Sequence, residues 1–463
     1  DKPLAQYCSA CDKEWIGNNR YDWAWIYEVH MLNRDYMYQC MYLYLATGKR
    51  QYADYIRTML LDYAGKYAGW FEHNSGRKAT DQHSGKAFAQ SLDEANWATK
   101  VAMAYMAIKP VLSKEEVKAI EEGYLQPAAT LLLHRPAGAN WQMWHNSGLA
   151  ALGIALENDS IVDVAINKDK YGYHYLIGKH KNSDGWINEG SPHYHYYPLE
   201  ALLFTANAVK CRGIKLFDKD LHDMFVEPVK GTYPDLSFPA HSDGWYGANL
   251  LSQSALYEVG NARYNDPFLK RVLELTYAQK KRLDPEALLS NQLIKASEES
   301  LLQKSYSFDT SGFCLLRSDT RTVVLKFGGE GIGHGHPDKL SITIHDGKNE
   351  LVSDFGTSGY GVPDYLKWYK RTLSHNTVTV DAKDQKRSVG KLLKFNPRSD
   401  GGYAEAETTT AYPGVRMKRS LDLKGTHLQD VYTCTSDSSH LYEYVILFNE
   451  KPLMDGQPTA TTL

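Results

Sequence analysis

From residue 21 to about 280, apolar residues recur at three- and four-residue spacing, the period of helices with one buried face. The run "WAWIYEVHMLNRDYMYQCMYLYLATG" shows this spacing and stops at Gly48, a helix-ending residue. "QYADYIRTMLLDYAGKYAGW", "ANWATKVAMAYMAIKPVL", "NSGLAALGIALEN" and "YPLEALLFTANAVKC" repeat the style. Runs of roughly 15 to 20 residues joined by short polar loops predict stacked helical hairpins. After "LDPEALLSNQLIKASEES" the period shortens, and "FCLLRS", "RTVVLKFGG", "LSITIHDG", "ELVSDFG" and "HNTVTVDA" read as strands. Turn signals such as "HDGKN" and "DSS" separate them, which predicts antiparallel sheet. The switch falls within residues 283 to 305. It predicts a helical domain over 1–283 and a β-sandwich over 306–463, with a cleft between them as the expected binding place.

Composition narrows the function. A chain of 463 residues exceeds one compact core, which agrees with two domains. A net charge of -3 argues against a broad phosphate-binding surface, so nucleic acid is not an expected partner. No apolar run reaches membrane-spanning length. The chain opens at Asp1 without a signal peptide, so it is expected to be mature, truncated or cytosolic. It stops at "GQPTATTL" without a closing element, which suggests further C-terminal sequence. Of the six cysteines only Cys8 and Cys11 are close, and one C-x-x-C lacks the second pair of a zinc ribbon. They read as a local disulfide or as free thiols. The 33 Tyr and 10 Trp suit either a carbohydrate groove or helix-interface packing.

Candidate chemistry concentrates in "GHGHPDKLSIT", residues 333–343. On an extended chain, His334 and His336 point the same way and can serve one site. The flanking glycines permit close approach of backbone or ligand. A polar loop entering a sheet is the structural alternative.

"GHGHPDKLSITIHDGKNELVSDFG" followed by "WYKRTLSHNTVTVDAKDQ" resembles the β-domain signature of heparinase II/III-like polysaccharide lyases, including related alginate lyases. The resemblance extends upstream to "GANWQMWHNSG" and "DGWINEGSPHYHYYPLEALL", covering roughly residues 140 to 385. It implies an incomplete (α/α) toroid followed by an antiparallel β-sandwich. It also implies β-elimination on a uronate-containing, acidic polysaccharide, without an organic cofactor. Such a reaction needs a base for the C5 proton, an acid for the leaving oxygen, and donors that neutralise the carboxylate.

By this resemblance Asn140 donates to the carboxylate, with His145 or Asn146 beside it and Trp141 and Gln142 as further substrate contacts. A helix N-cap is the alternative for Asn146. Tyr194 is the catalytic phenol, with Tyr196 and Tyr197 competing, and His334 is its partner as base or polarising group. His336, Asp354 and His375 match a structural zinc site, with a metal-free His-Asp-His cluster as the alternative. Glu189 orients its neighbours, Tyr365 contacts substrate, and Arg371 holds a carboxylate or sulfate unless it is a surface ion-pair member. "NWQMWHN" departs from both branches of the family, and heparin or heparan sulfate is placed slightly ahead of alginate. A periplasmic or secreted location follows from such a substrate. The rival readings are an inverting glycoside hydrolase using Asp93 or Glu94 and a non-catalytic glycan-binding protein.

Overall fold

The computed structural model describes residues 5–16, 19–74, 81–289, 293–295, 301, 304–329 and 333–452. The chain end at 456–463, and residues 290–292, 296–300 and 302–303 of the switch expected within 283–305, lie outside these residues. A short hairpin of β1 (Ala5–Cys8) and β2 (Lys13–Ile16) opens the described chain. Cys8 and Cys11 sit there as free thiols rather than a bridge.

Helices follow: α1 (Asn19–Thr47), α2 (Arg50–Ala64), α3 (Ser91–Ile108), α4 (Lys114–Ile120), α5 (Gln126–Leu133), α6 (Ala139–Ala155), α7 (Asp159–Asn167), α8 (Tyr173–His180), α9 (His193–Val209), α10 (Lys219–Val229), α11 (Ser254–Tyr264) and α12 (Pro267–Gln279). Local signals fix several starts. Ser113 and Glu116 form a reciprocal capping box on α4, and Asp266 caps α12 ahead of Pro267. None of the helices among the described residues is long and apolar enough to cross a membrane.

The chain divides into two compact units, which do not follow the helix-to-strand switch. The first comprises Asp1–Gly178 and Glu200–Leu216, the second Lys179–Leu199 and Phe217–Leu463. In the first unit, aromatic rings fill the helix interfaces: Trp97 meets Tyr63 and Tyr124 edge-on at centroid distances of 4.9 and 5.0 Å, and all three are buried. Much of the tyrosine excess is therefore packing.

Among the described residues, the second unit carries two larger antiparallel sheets and a two-stranded one. One is ordered β3 (Tyr306–Phe308), β4 (Phe313–Arg317), β5 (Thr322–Lys326), β6 (Ser341–His345), β7 (Glu350–Val352). After β8 (Val378–Val380), the other sheet comprises β9 (Lys391–Arg398), β10 (Gly401–Tyr412), β11 (Val415–Lys424) and β12 (His427–Ser436). A last strand, β13 (Tyr442–Tyr444), pairs with β8. Cys314, Leu316, Val323 and Leu325 of the first sheet share a core with Ala404, Met417, Leu421 and Leu423 of the second, a β-sandwich. β4 and β5 are buried throughout rather than alternately. The other face of β4 is covered as well: Phe313 packs on Trp186, and the Arg317 guanidinium donates to the carbonyls of Lys230 and Thr232. Arg419, wholly buried on β11, donates to Asp430 and to the carbonyls of Leu340 and Asn376, joining β11 and β12 to the chain around β6 and β8.

A histidine and tyrosine centre gathered on Asp243

Tyr194 lies in the first turn of α9, where the Ser191 hydroxyl accepts from its backbone N–H at 3.2 Å. That cap turns the phenol onto His334, and the two rings stack at 3.5 Å between centroids, 14° from parallel. The competing tyrosines point elsewhere. Tyr196 is buried against Tyr257, with their hydroxyls 3.2 Å apart, and Tyr197 stacks on His193.

Two residues absent from the sequence-based set complete the centre. Tyr360 brings its hydroxyl to 2.6 Å from the Tyr194 hydroxyl and 2.9 Å from His334 Nδ1. Asp243 is the hub. Its Oδ2 lies 2.9 Å from His334 Nδ1 and accepts from the Tyr360 and Tyr365 hydroxyls at 3.0 and 2.9 Å. Its Oδ1 lies 2.9 Å from His336 Nε2. The backbone locks the same contact, because Asp243 N–H donates to the His334 carbonyl at 3.1 Å. Lys370 Nζ stands 3.8 Å from Asp243 and donates to the Gly333 carbonyl. Glu189 is buried, with Oε2 3.6 Å from His334 Nε2. The expected pairing of His334 and His336 thus takes a particular form: both reach one carboxylate, one from a partly exposed position and one from the core.

Sequence gave only a faint signal for Asp243. It stands in "PAHSDGWYGAN", an irregular stretch between helices with no metal or catalytic spacing. Loop geometry holds it in place. Gly356, at φ 59°, packs so tightly that a Cβ there would lie 1.9 Å from the Gly244 carbonyl oxygen, and Thr357 N–H donates to that oxygen.

Electrostatics sort the roles. Burial, with Asp243 and Glu189 nearby, pushes the Tyr194 phenol up to about 12 against the opposing hydrogen bond of Tyr360. Burial and Asp243 raise Tyr365 as well. Burial would raise the Asp243 carboxyl, but the hydrogen bonds from His334 and His336 and the Lys370 charge hold it well below the usual carboxylate range.

The metal expectation is met only in part. Asp338, Asp354 and His375 form the three-residue group whose ligand atoms converge, all buried. Asp338 replaces His336 there, because His336 is drawn by Nε2 to Asp243. His375 Nδ1 lies 3.0 Å from Asp354 Oδ2, and the His336 and His375 rings are 5.2 Å apart. His336 Nδ1 and His375 Nε2 are both buried without a hydrogen-bond partner among the described residues, as nitrogen ligands to a cation would be. Lys326 and Lys339 place two ammonium groups on Asp338.

Other expectations are corrected. Arg371 takes its ion-pair alternative: its Nε donates to Asp384 at 2.6 Å, and the side chain is 48% exposed. Asn146 is no N-cap, since α6 begins at Ala139. Gln142 and Asn146 are buried and bond one another, Gln142 also accepting from Ala137 N–H and Asn146 donating to the Tyr171 carbonyl. These bonds hold α6 within its unit. His145 is wholly buried in α6, and burial lowers its imidazole to about 4, which keeps it neutral at ordinary pH. Asn140, in the first turn of α6, is 4% exposed, and Trp141 is half-buried with its ring edge-on to His83. Glu94 is also spent structurally, accepting from Tyr67 and from the N–H groups of Lys86, Ala87 and Phe88.

Residues 301–449 match the family model described as Heparinase II/III-like, C-terminal, and residues 29–226 match the model described as Alginate lyase. An alginate lyase of Stenotrophomonas maltophilia is 29% identical, over 91% of this chain and 63% of its own length. An exo-oligoalginate lyase of Saccharophagus degradans is 26% identical, over 92% of this chain and 64% of its own. The chain therefore spans less than two thirds of either relative. A solved heparinase III aligns with a TM-score of 0.67 at 16% identity, covering 95% of this chain and 69% of that one. That likeness shows the fold, an incomplete (α/α) toroid followed by an antiparallel β-sandwich. On that fold, the chain is similar to alginate lyases over residues 29–226 and to the heparinase II/III-like C-terminal region over residues 301–449.

Proposed function

We propose that this protein is a polysaccharide lyase that cleaves a uronate-containing chain by β-elimination. The observation that carries this reading is the Tyr194–His334 stack, with both side chains joined through Tyr360 to the buried Asp243. His334 takes the C5 proton, the C4–C5 double bond forms, and the C4–O bond breaks as Tyr194 protonates the leaving oxygen. A phenol near 12 stays protonated at ordinary pH, which suits Tyr194 as the acid and leaves the base to His334. Asn140 remains the proposed amide donor to the uronate carboxylate, where a neutral hydrogen bond strengthens as charge moves onto it.

Alginate-type uronate is favoured over heparin or heparan sulfate, reversing the order the sequence suggested. The two sequence relatives named above, each aligned over nine tenths of this chain, are alginate lyases, and Arg371, the cation offered for a sulfate, pairs with Asp384. The heparinase II/III-like match over 301–449 supports the sulfated substrate as the second reading. Such polymers place the protein in the periplasm or outside the cell.

The buried cluster suits Zn2+, with Asp338, Asp354 and His375 as the converging ligands and His336, whose Nδ1 has no hydrogen-bond partner among the described residues, beside them. There the ion would supply a structural cross-link rather than chemistry on substrate. The ammonium groups of Lys326 and Lys339 on Asp338 support the metal-free alternative.

Incubating purified protein with alginate, heparin and heparan sulfate tests the function. A lyase yields an unsaturated, ultraviolet-absorbing uronate end, whereas new reducing ends without that absorbance would mean a hydrolase.

A further inference from the structure

We propose that Asp243 is the positioning residue of this centre: its one carboxylate fixes the tautomers of His334 and His336 together. His334 Nε2 is thereby left as a proton acceptor and His336 Nδ1 as an unprotonated nitrogen in the core.

A carboxylate accepts hydrogen bonds and donates none. Asp243 Oδ2 at 2.9 Å from His334 Nδ1 therefore places the proton on Nδ1, and the lone pair falls to Nε2. The same rule at Oδ1, 2.9 Å from His336 Nε2, places that proton on Nε2 and the lone pair on Nδ1. The free nitrogens then match their surroundings. The His334 side chain is 21% exposed, and Glu189 Oε2, 3.6 Å from its Nε2, lies beyond hydrogen-bond distance and so does not hold a proton there. His336 is buried, and its Nδ1 has no hydrogen-bond partner among the described residues. Two imidazoles two positions apart are thus given opposite tautomers by opposite oxygens of one side chain. Tyr360 and Tyr365 also donate to Oδ2, so this oxygen has no need of a proton of its own. A carboxylate that orients an imidazole in this way is a known route to a defined base or ligand nitrogen.

The catalytic consequence rests on the lyase reading above, while the tautomer assignment does not. Nitrogen NMR of wild-type protein labelled in its histidines tests the assignment without any variant. The expected spectrum has His334 protonated at Nδ1 and His336 at Nε2. His334 protonated at Nε2, alone or as an imidazolium at neutral pH, would overturn it.

Asp243→Asn tests the consequence. An amide of the same shape offers one acceptor and one donor atom, so it can keep the N–H of only one imidazole. At least one of the two histidines should then exchange its tautomer. On a uronate polymer that the wild type cleaves, kcat should fall by about 10²- to 10⁴-fold while KM changes little. Unchanged tautomers with unchanged kcat would refute the positioning role. If the wild type cleaves no uronate polymer, the lyase reading fails, and the wild-type spectrum still decides the assignment.

Discussion

Individual side chains make separable predictions. Tyr194→Phe keeps the ring stacked on His334 but removes the transferable proton, so turnover should fall by at least about two orders of magnitude. Substrate binding should persist in equilibrium titration, and near-normal turnover would remove Tyr194 from the mechanism. An acid must stay protonated to act, so its contribution is present below its pKa and lost above it. With the phenol at about 12, the alkaline limb of kcat/KM should lie above the ordinary tyrosine value near 10. Asn140→Ala should lower kcat more than it raises KM, because the hydrogen bond strengthens in the transition state. A change in KM alone would make Asn140 a ground-state contact. His334→Ala should abolish turnover with stability within roughly 1 kcal/mol of wild type, whereas His336→Ala, in the core, should lower the melting temperature. Most of these residues were legible in the sequence because each sits in a short stretch dense in histidine, tyrosine or asparagine. Asp243 and Tyr360 were not. A lone Asp in a Gly-rich turn acquires its role only when the chain folds over it.

Among elements, the loop 354–361 and the turn at 241–244 depend on one close approach. Gly356→Ala adds a Cβ against the Gly244 carbonyl at a positive φ. It should destabilise by about 2 kcal/mol or more and reduce turnover by shifting Asp243, next to Gly244. Denaturant melts beside activity measurements check both effects. Arg419→Ala strands Asp430 and the carbonyls of Leu340 and Asn376, so a loss of about 3–5 kcal/mol is expected in the same melts. The helices and strands themselves were readable from their periods, since helices such as α2, α10 and α12 bury residues at three- and four-residue spacing. The full burial of β4 and β5 was not, because it depends on which segments cover their outer face. The same limit explains Gln142, Asn146 and His145. As residue types they suit a polar site, and only the packing of α6 shows them turned into its own unit.

At the scale of the whole molecule, the change of period predicted the order of helical and sheet regions, but the compact units cut across it. Residues 179–199 and 217–283 pack with the sandwich unit, so the segment bearing Glu189 and Tyr194 shares a unit with His334, Asp243 and Tyr360. Sequence distance conceals this, because contacts more than a hundred residues apart set the boundary. Metal analysis of the purified protein should find about one Zn2+ per chain, and His375→Ala should lose it together with stability. Equal melting of the metal-free and untreated protein would favour the lysine-neutralised cluster. The most direct test of the central claim is the ultraviolet absorbance of products released from alginate by wild-type protein and by Tyr194→Phe. Rising absorbance from the wild type, and a rate at least about a hundredfold lower from the variant, is the result expected. Chain cleavage without absorbance, or equal rates from both proteins, would contradict it.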